Sequence, residues 1–221
     1  MICHHPETEM LLDYASGSLE EEPSLAVATH LVFCALCRDE VRSMEALGGT
    51  LLANTDSAEI EDGALEDVMA RLDLDLPIQP AAARKVEGSD PILPGPVTRY
   101  IGTDIDGLHW RRLSPRVEEA RIATTNAKFK TSLLRIKPGT TIPGHTHGGQ
   151  EYTLVLKGGI VDADKHYRRG DIMLADSEHE HQPMAALDEE CICLVVLDAP
   201  VQFTGLFARL LNPFLGGSKP R

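Results

Sequence analysis

The sequence predicts a two-domain α + β chain: a small N-terminal helical bundle, a proline-rich linker and an all-β barrel. Three observations carry this. Apolar residues recur at helical spacing before residue 77 and gather into short β-rich runs after residue 97. Charge changes with the period. Residues 1–80 hold 3 Lys+Arg against 17 Asp+Glu, net −14, whereas residues 81–221 hold 18 against 17, net +1. Between the two regions, "PIQPAAARKVEGSDPILPGP" carries five prolines. The division is therefore 1–76 helical, 77–96 linker, 97–205 barrel and 206–221 C-terminal tail.

Pro6 suits the first turn of a helix through "ETEMLLDYAS", which stops near Gly17. "PSLAVATHLVFCALCRDEVRSMEAL" reads as one longer helix closed by Gly48 and Gly49. In "GALEDVMARLDL", Leu65, Val68, Met69 and Leu72 fall at i, i+3, i+4 and i+7, one apolar stripe on an acidic helix. A bundle of about 75 residues has little core of its own. Beyond the linker, "TSLLRIKPG", "EYTLVLKGG", "DIMLAD" and "CICLVVLDAP" are short strands divided by Gly, Pro and Asp, the pattern of a barrel or sandwich. The tail "FTGLFARLLNPFLGG" returns to a short amphipathic pattern.

Composition narrows the function classes. With 43% hydrophobic and 25% charged residues, the 221-residue chain has the make-up of a globular protein. No apolar run approaches the roughly 20 residues that span a bilayer, so no membrane partner is expected. "MICHHPETEM" lacks the basic and apolar regions of a secretory signal, and a cytoplasmic location is expected. There, five cysteines favour metal or redox chemistry over a disulfide framework. The acidic first third would repel nucleic acid and be steered toward a basic protein surface.

Two clusters of potential ligands stand out. On a helix, positions i, i+4 and i+7 lie within an arc of about 60°, so His30, Cys34 and Cys37 project from one face. An imidazole and two thiolates suit tetrahedral zinc, which needs a fourth ligand. Cys3, His4 and His5 stand just ahead of the first helix and come within reach if it packs antiparallel to the second. The competing reading makes both cysteines small buried hydrophobes and His30 a core histidine, but the density of His and Cys favours metal. Oxidation of Cys34 and Cys37 would eject that metal.

The second cluster lies in "GTTIPGHTHGGQEYTLVLKG". His145 and His147 are two apart and share a strand face, and a glycine turn lets Glu151 return on the next strand to the same pocket. Two imidazoles and a carboxylate in a small barrel suit zinc or another divalent transition metal. The pattern Gly139-x5-His145-x-His147-x3-Glu151-x6-Gly158 resembles the first motif of the cupin superfamily without a mismatch, which implies a double-stranded β-helix barrel. The second cupin motif implies a further ligand at His181, 11 residues after Gly170. There the sequence departs from the family, with Asp176 and Glu178 in place of Pro and Gly and no Asn after His181. His179 shares the strand face and stays open as the alternative. Cys191 and Cys193 also share a face, too far apart and too parallel for a disulfide. They read as small core residues, with a redox or metal-adjacent role as the alternative.

His-x3-Cys-x2-Cys in an acidic helical domain, a proline-rich linker and a cupin together resemble the ChrR-type zinc-binding anti-sigma factors of bacteria, over nearly the whole chain. That resemblance implies structural zinc on His30, Cys34 and Cys37 with His5 as fourth ligand, His4 remaining open on spacing. It implies a 1:1 complex with an extracytoplasmic-function sigma factor, no direct nucleic-acid contact, and release under oxidative stress such as singlet oxygen. The acidic bundle would compete for basic sigma surfaces, with Leu65, Val68, Met69 and Leu72 in the buried part of the interface. The alternative is a metal-dependent cupin dioxygenase acting on a small molecule, since the same His-His-Glu-His barrel supports such enzymes. With the barrel ligands more than 100 residues beyond the helical claw and across a flexible linker, their loss is expected to leave the sigma interface undisturbed.

Overall fold

Three helices open the chain, and each ends for a local reason. The structure is a computed structural model that describes residues 2–72, 92–125, 128–178 and 180–204. Helix α1 (Thr8–Ser16) buries Met10 and Leu11 and stops at Gly17, whose φ of 76° lets its N–H reach the Asp13 and Tyr14 carbonyls. Helices α2 (Glu21–Phe33) and α3 (Ala35–Ala53) replace the single long helix expected from the sequence. Cys34 is extended (φ −103°, ψ 109°) and divides them. Its Sγ accepts the Cys37 N–H at 3.5 Å, capping the new helix in the manner of a side-chain N-cap. Nor does the helix close at Gly48 and Gly49. Each glycine costs about 1 kcal/mol in a helix, too little to stop a run flanked by leucine and alanine. Helix α3 continues to Ala53. Helix α4 (Ala64–Leu72) has no buried residue at all.

The barrel is antiparallel throughout. Its largest sheet holds β1 (Arg111–Ser114), β2 (Val117–Ile122), β3 (Lys130–Ile136), β5 (Glu151–Lys157), β8 (Ile172–Ala175) and β10 (Cys191–Leu197), in the order β1-β2-β3-β10-β5-β8. Strand β4 (His145–His147) pairs with β11 (Val201–Phe203), and β6 (Gly159–Asp162) lies between β7 (Lys165–Arg168) and β9 (Met184–Ala185).

The central strand β10 is buried on both faces, which is why "CICLVVL" is apolar without alternation. Cys191, Cys193, Val195 and Leu197 face the barrel interior with Val155, Met173 and Ile160. Ile192, Leu194 and Val196 face outward, where Leu25 and Ala26 of α2 and Val97 of the short helix α5 (Gly95–Ile101) cover them. The barrel-side end of the proline-rich stretch thus belongs to the core: Leu93 is buried, and Gly95 and Pro96 open α5. Residues 77–91 of the expected linker, and all of the expected 206–221 tail, lie outside the described residues.

The helical part packs directly on the barrel. The helical core is Met10, Leu11, Val27, Cys34, Cys37 and Val41, and Tyr152 of β5 and Leu174 of β8 pack against it. One residue at this seam is unusual. Glu22, on the same face of α2 as Leu25 and Ala26, is fully buried, and neither carboxylate oxygen has a hydrogen-bond partner. Among the described residues, no helix is long and apolar enough to cross a membrane.

Candidate metal centres

The structure gathers the helical ligands into one cluster. His5, His30, Cys34 and Cys37 each offer a ligand atom, all within 4.8 Å of one another. His5 Nδ1 lies 3.3 Å from both Cys34 Sγ and Cys37 Sγ, and His30 Nε2 lies 3.3 Å from Cys37 Sγ. A nitrogen and a sulfur on one tetrahedral zinc are separated by about 3.5 Å, given bonds of about 2.1 and 2.3 Å. The spacing fits. The helix break at Cys34 is part of this arrangement, since the sulfur that caps α3 also faces the cluster. Between the alternatives His4 and His5, the geometry selects His5. The His4 ring stacks instead on Tyr167, with centroids 4.3 Å apart.

Protonation in this cluster follows from burial. The Cys37 thiol is pushed up to about 12 by desolvation and its hydrogen bond with Cys34, and His30 is held below its ordinary value by desolvation. His30 Nδ1–H donates to the Gly170 carbonyl at 2.7 Å, which fixes the tautomer and leaves the Nε2 lone pair facing the sulfurs.

In the barrel, His145, His147, Glu151 and His181 converge in the same way. Strand β4 turns both of its histidines inward, and β5 starts with Glu151 on its interior face. His181 arrives through an isolated bridge to His145. Its Nε2 is 3.0 Å from His145 Nε2 and 2.9 Å from His147 Nε2. The tautomers make this cluster a test of the metal reading. His145 Nδ1–H donates to Pro143 O at 2.8 Å, and His181 Nδ1–H donates to the Asp162 carboxylate at 3.0 Å. Both Nε2 atoms therefore turn lone pairs toward each other, an arrangement that needs a cation between them. Two nitrogens each about 2.1 Å from one ion and at right angles to each other lie about 3.0 Å apart. His147 Nδ1 is buried without a hydrogen bond, although Glu151 Oε2 is 3.2 Å away. The donor set and its orphaned nitrogen fit a divalent ion. His179, the alternative to His181, lies outside the described residues.

Burial lowers the pKa of His145 and His147 and raises that of the Glu151 carboxyl, the last partly offset by the Thr153 hydroxyl, which donates to Glu151 Oε1 at 2.6 Å. A bound cation would reverse the effect on Glu151. Desolvation, then the neighbouring imidazoles His145 and His181, push His147 down to about 4. An unfolded histidine titrates near about 6.5, so between these values the unfolded chain takes up a proton that the folded chain refuses. Stability of the metal-free barrel should therefore be level above about pH 6.5 and fall as pH drops toward 4. Urea midpoints of metal-free protein between neutral pH and about pH 5 check this, and a constant midpoint contradicts it.

Asp162, Pro143 and Thr153 orient the ligands, and the sequence reading missed all three. Asp162 sits on β6, 19 residues from His181, and no local spacing marks it. On the His181 side, a cavity of about 300 Å³ lined by Gly144, Glu180, His181, Gln182 and Thr204 leads to the cluster. Cys191 and Cys193 are buried free thiols in the barrel interior, and Cys193 is raised by its hydrogen bond with Cys191 and by desolvation.

The stripe on α4 stays where the sequence put it, on one helix, but in solvent. Leu65 is 70% exposed, Val68 53%, Met69 55% and Leu72 71%. Leu47, Leu51 and Leu52 on the second half of α3 are exposed as well.

Residues 98–200 match the family described as the ChrR cupin-like domain. The chain is 39% identical to the anti-sigma-E factor ChrR of Cereibacter sphaeroides over 213 residues, covering 96% of this chain and 98% of that protein. Its structure is similar to that of Rhodobacter sphaeroides ChrR, solved in complex with SigE, at 36% identity and a TM-score of 0.78, covering 89% of this chain and all of that one. An RmlC-like cupin protein from Ralstonia eutropha JMP134 is similar over 47% of this chain and 71% of its own, at 16% identity and a TM-score of 0.43. The match spans nearly the whole of both chains, and the chain belongs to the ChrR family of anti-sigma factors.

Proposed function

We propose that the helical domain sequesters an extracytoplasmic-function sigma factor in a 1:1 complex and that the metal-bearing cupin domain releases it under oxidative stress, singlet oxygen being one such signal. The likeness along the full chain to a ChrR solved with SigE is the observation that carries this reading. The exposed stripe of α4 and the net −14 of residues 1–80 give it a physical basis, apolar contact surrounded by charge complementary to a basic partner. Structural zinc on His5, His30, Cys34 and Cys37 holds the helices together. His145, His147, Glu151 and His181 would hold zinc or another divalent transition metal in the barrel. The cytoplasm is the compartment in which a sigma factor is met.

The enzymatic alternative accounts for the barrel but gives the acidic helices no purpose. What this chain's residues would do at the barrel site is hold the ion, with Asp162 fixing the ring of His181 and Thr153 the carboxylate of Glu151. The test is sigma-dependent transcription with and without singlet oxygen. Wild-type protein should repress, then release. Glu151→Ala should still repress yet ignore the oxidant, because the barrel has lost its metal. Constitutive transcription with this variant would assign the barrel metal to inhibition. A normal induction ratio would remove it from the switch.

A further inference from the structure

The turn that leads into β8 reaches out of the barrel and holds the N-terminal cluster from behind. Asp171 is buried, and its Oδ1 accepts the N–H groups of Cys3 at 2.7 Å and His4 at 3.0 Å, while Oδ2 accepts the Arg168 N–H at 2.8 Å. The next N–H, of Ile172, donates to the His4 carbonyl at 3.2 Å. One residue earlier, the Gly170 carbonyl accepts Nδ1–H of His30 at 2.7 Å. Gly170 has a φ of 93°, and a Cβ there would fall 2.2 Å from Ile2 Cδ1 and 2.9 Å from Phe33 Cβ. Only glycine permits this approach.

The placement of these bonds is specific. His5 follows directly on the two residues whose backbone is strapped to Asp171 and Ile172. His30 is oriented by the carbonyl just before Asp171. Two of the four ligands on one side are thus positioned by three consecutive residues of the other domain. Strand β8 then runs four residues to Ala175, which pairs with Glu151, while Ile172 pairs with Leu154. At about 3.3 Å per residue, the two clusters are joined by a strut of roughly 13 Å. Its outward residue Leu174, with Tyr152 on β5, packs against the helical core.

We propose that Asp171 and Gly170 are positioning residues for the N-terminal metal cluster, and that β8 is the rigid element coupling that cluster to the one in the barrel. This rests on the metal reading of both clusters. Coupling of this kind is reciprocal: a change at the barrel that shifts the turn must alter metal affinity in the helices, and the reverse. Partners behind a ligand commonly govern affinity by about 10–100-fold.

Full-length protein loaded with cobalt tests this, because thiolate-to-cobalt absorption reports the cluster containing Cys34 and Cys37. Asp171→Ala should release that cobalt to a chelator about 10–100-fold faster than wild type and shift the band at full loading. Asp171→Asn keeps the oxygen that meets Cys3 and His4 but turns its NH2 toward the Arg168 N–H, so it should recover part of the loss. Arg111→Ala, which removes an ion pair to the buried Glu119 at the opposite edge of the sheet from β8 and away from both clusters, separates general loosening from this specific effect and should leave the band position unchanged. Release from Asp171→Ala at the wild-type rate overturns the proposal. Absence of the thiolate band from wild type overturns the metal reading itself. Hydrogen exchange on wild-type protein gives a measurement free of folding defects. Stripping the thiolate-bound metal should expose the Ile172 amide, and unchanged protection there overturns the coupling.

Discussion

Cys37→Ser should cost the helical domain several kcal/mol and leave α1 and α3 largely unfolded near physiological temperature. The small core of that domain explains the size of the effect. Of its six buried hydrophobic residues, two are Cys34 and Cys37, so the ligands and the core are partly the same atoms. Apparent zinc-binding free energies in small domains reach about 10–16 kcal/mol, and the chain folds against that reserve. Helix α2 should survive better than its neighbours, because Leu25 and Ala26 are anchored on the barrel. The expected record is a circular dichroism melt in which part of the helical signal is lost early and the β signal is retained, with zinc content falling in parallel. The Cys37 thiol, pushed up to about 12 by burial and by Cys34, must also surrender its proton when metal enters, so zinc uptake should release protons and weaken as pH falls. A variant that keeps the wild-type melt would remove the metal from the folding of these helices.

Leu65→Glu combined with Met69→Glu should weaken the sigma complex by about 3 kcal/mol, roughly 100-fold in Kd, without lowering the melting temperature of the free protein. Both side chains are more than half exposed, and α4 buries nothing in the free chain. Their substitution therefore removes nothing from the fold, while a partner that covers them would have to desolvate two carboxylates. Calorimetric titration of full-length protein with the sigma factor separates the outcomes. An unchanged Kd would place the interface elsewhere, with the exposed leucines at the end of α3 as the next surface to vary.

Three members of each candidate cluster could be placed together from sequence because they are short-range, whereas the fourth, His5 or His181, came only from the family resemblance. The three positions of the helical claw and the three of the barrel motif fall within one or two elements, where spacing alone fixes the face. Other features were hidden for physical reasons. The break at Cys34 carries no Gly or Pro, and its cause is a sulfur capping a helix while facing the cluster. Asp162 and Asp171 act through contacts that only the tertiary fold creates, and no sequence spacing reports a carboxylate that meets backbone 167 or 168 residues away. The contact of the helices with the barrel had a visible signal. "SLAVATHLVF" is apolar on every side, and a helix of that kind has two surfaces to bury. One faces Met10 and Val41, the other faces the barrel.

Glu22 gives that second surface a different character from an ordinary core. A carboxyl group sealed away from water without a partner costs at least about 1–3 kcal/mol, and the cost is refunded as soon as water reaches it. The contacts of Leu25 and Ala26 hold the seam shut against this standing bias. Docking of the helices on the barrel is thus shallower in free energy than its apolar area alone would make it. Each step of about 1.4 kcal/mol changes the equilibrium of that docking tenfold. Chemistry too local to unfold either domain is then large enough to part them.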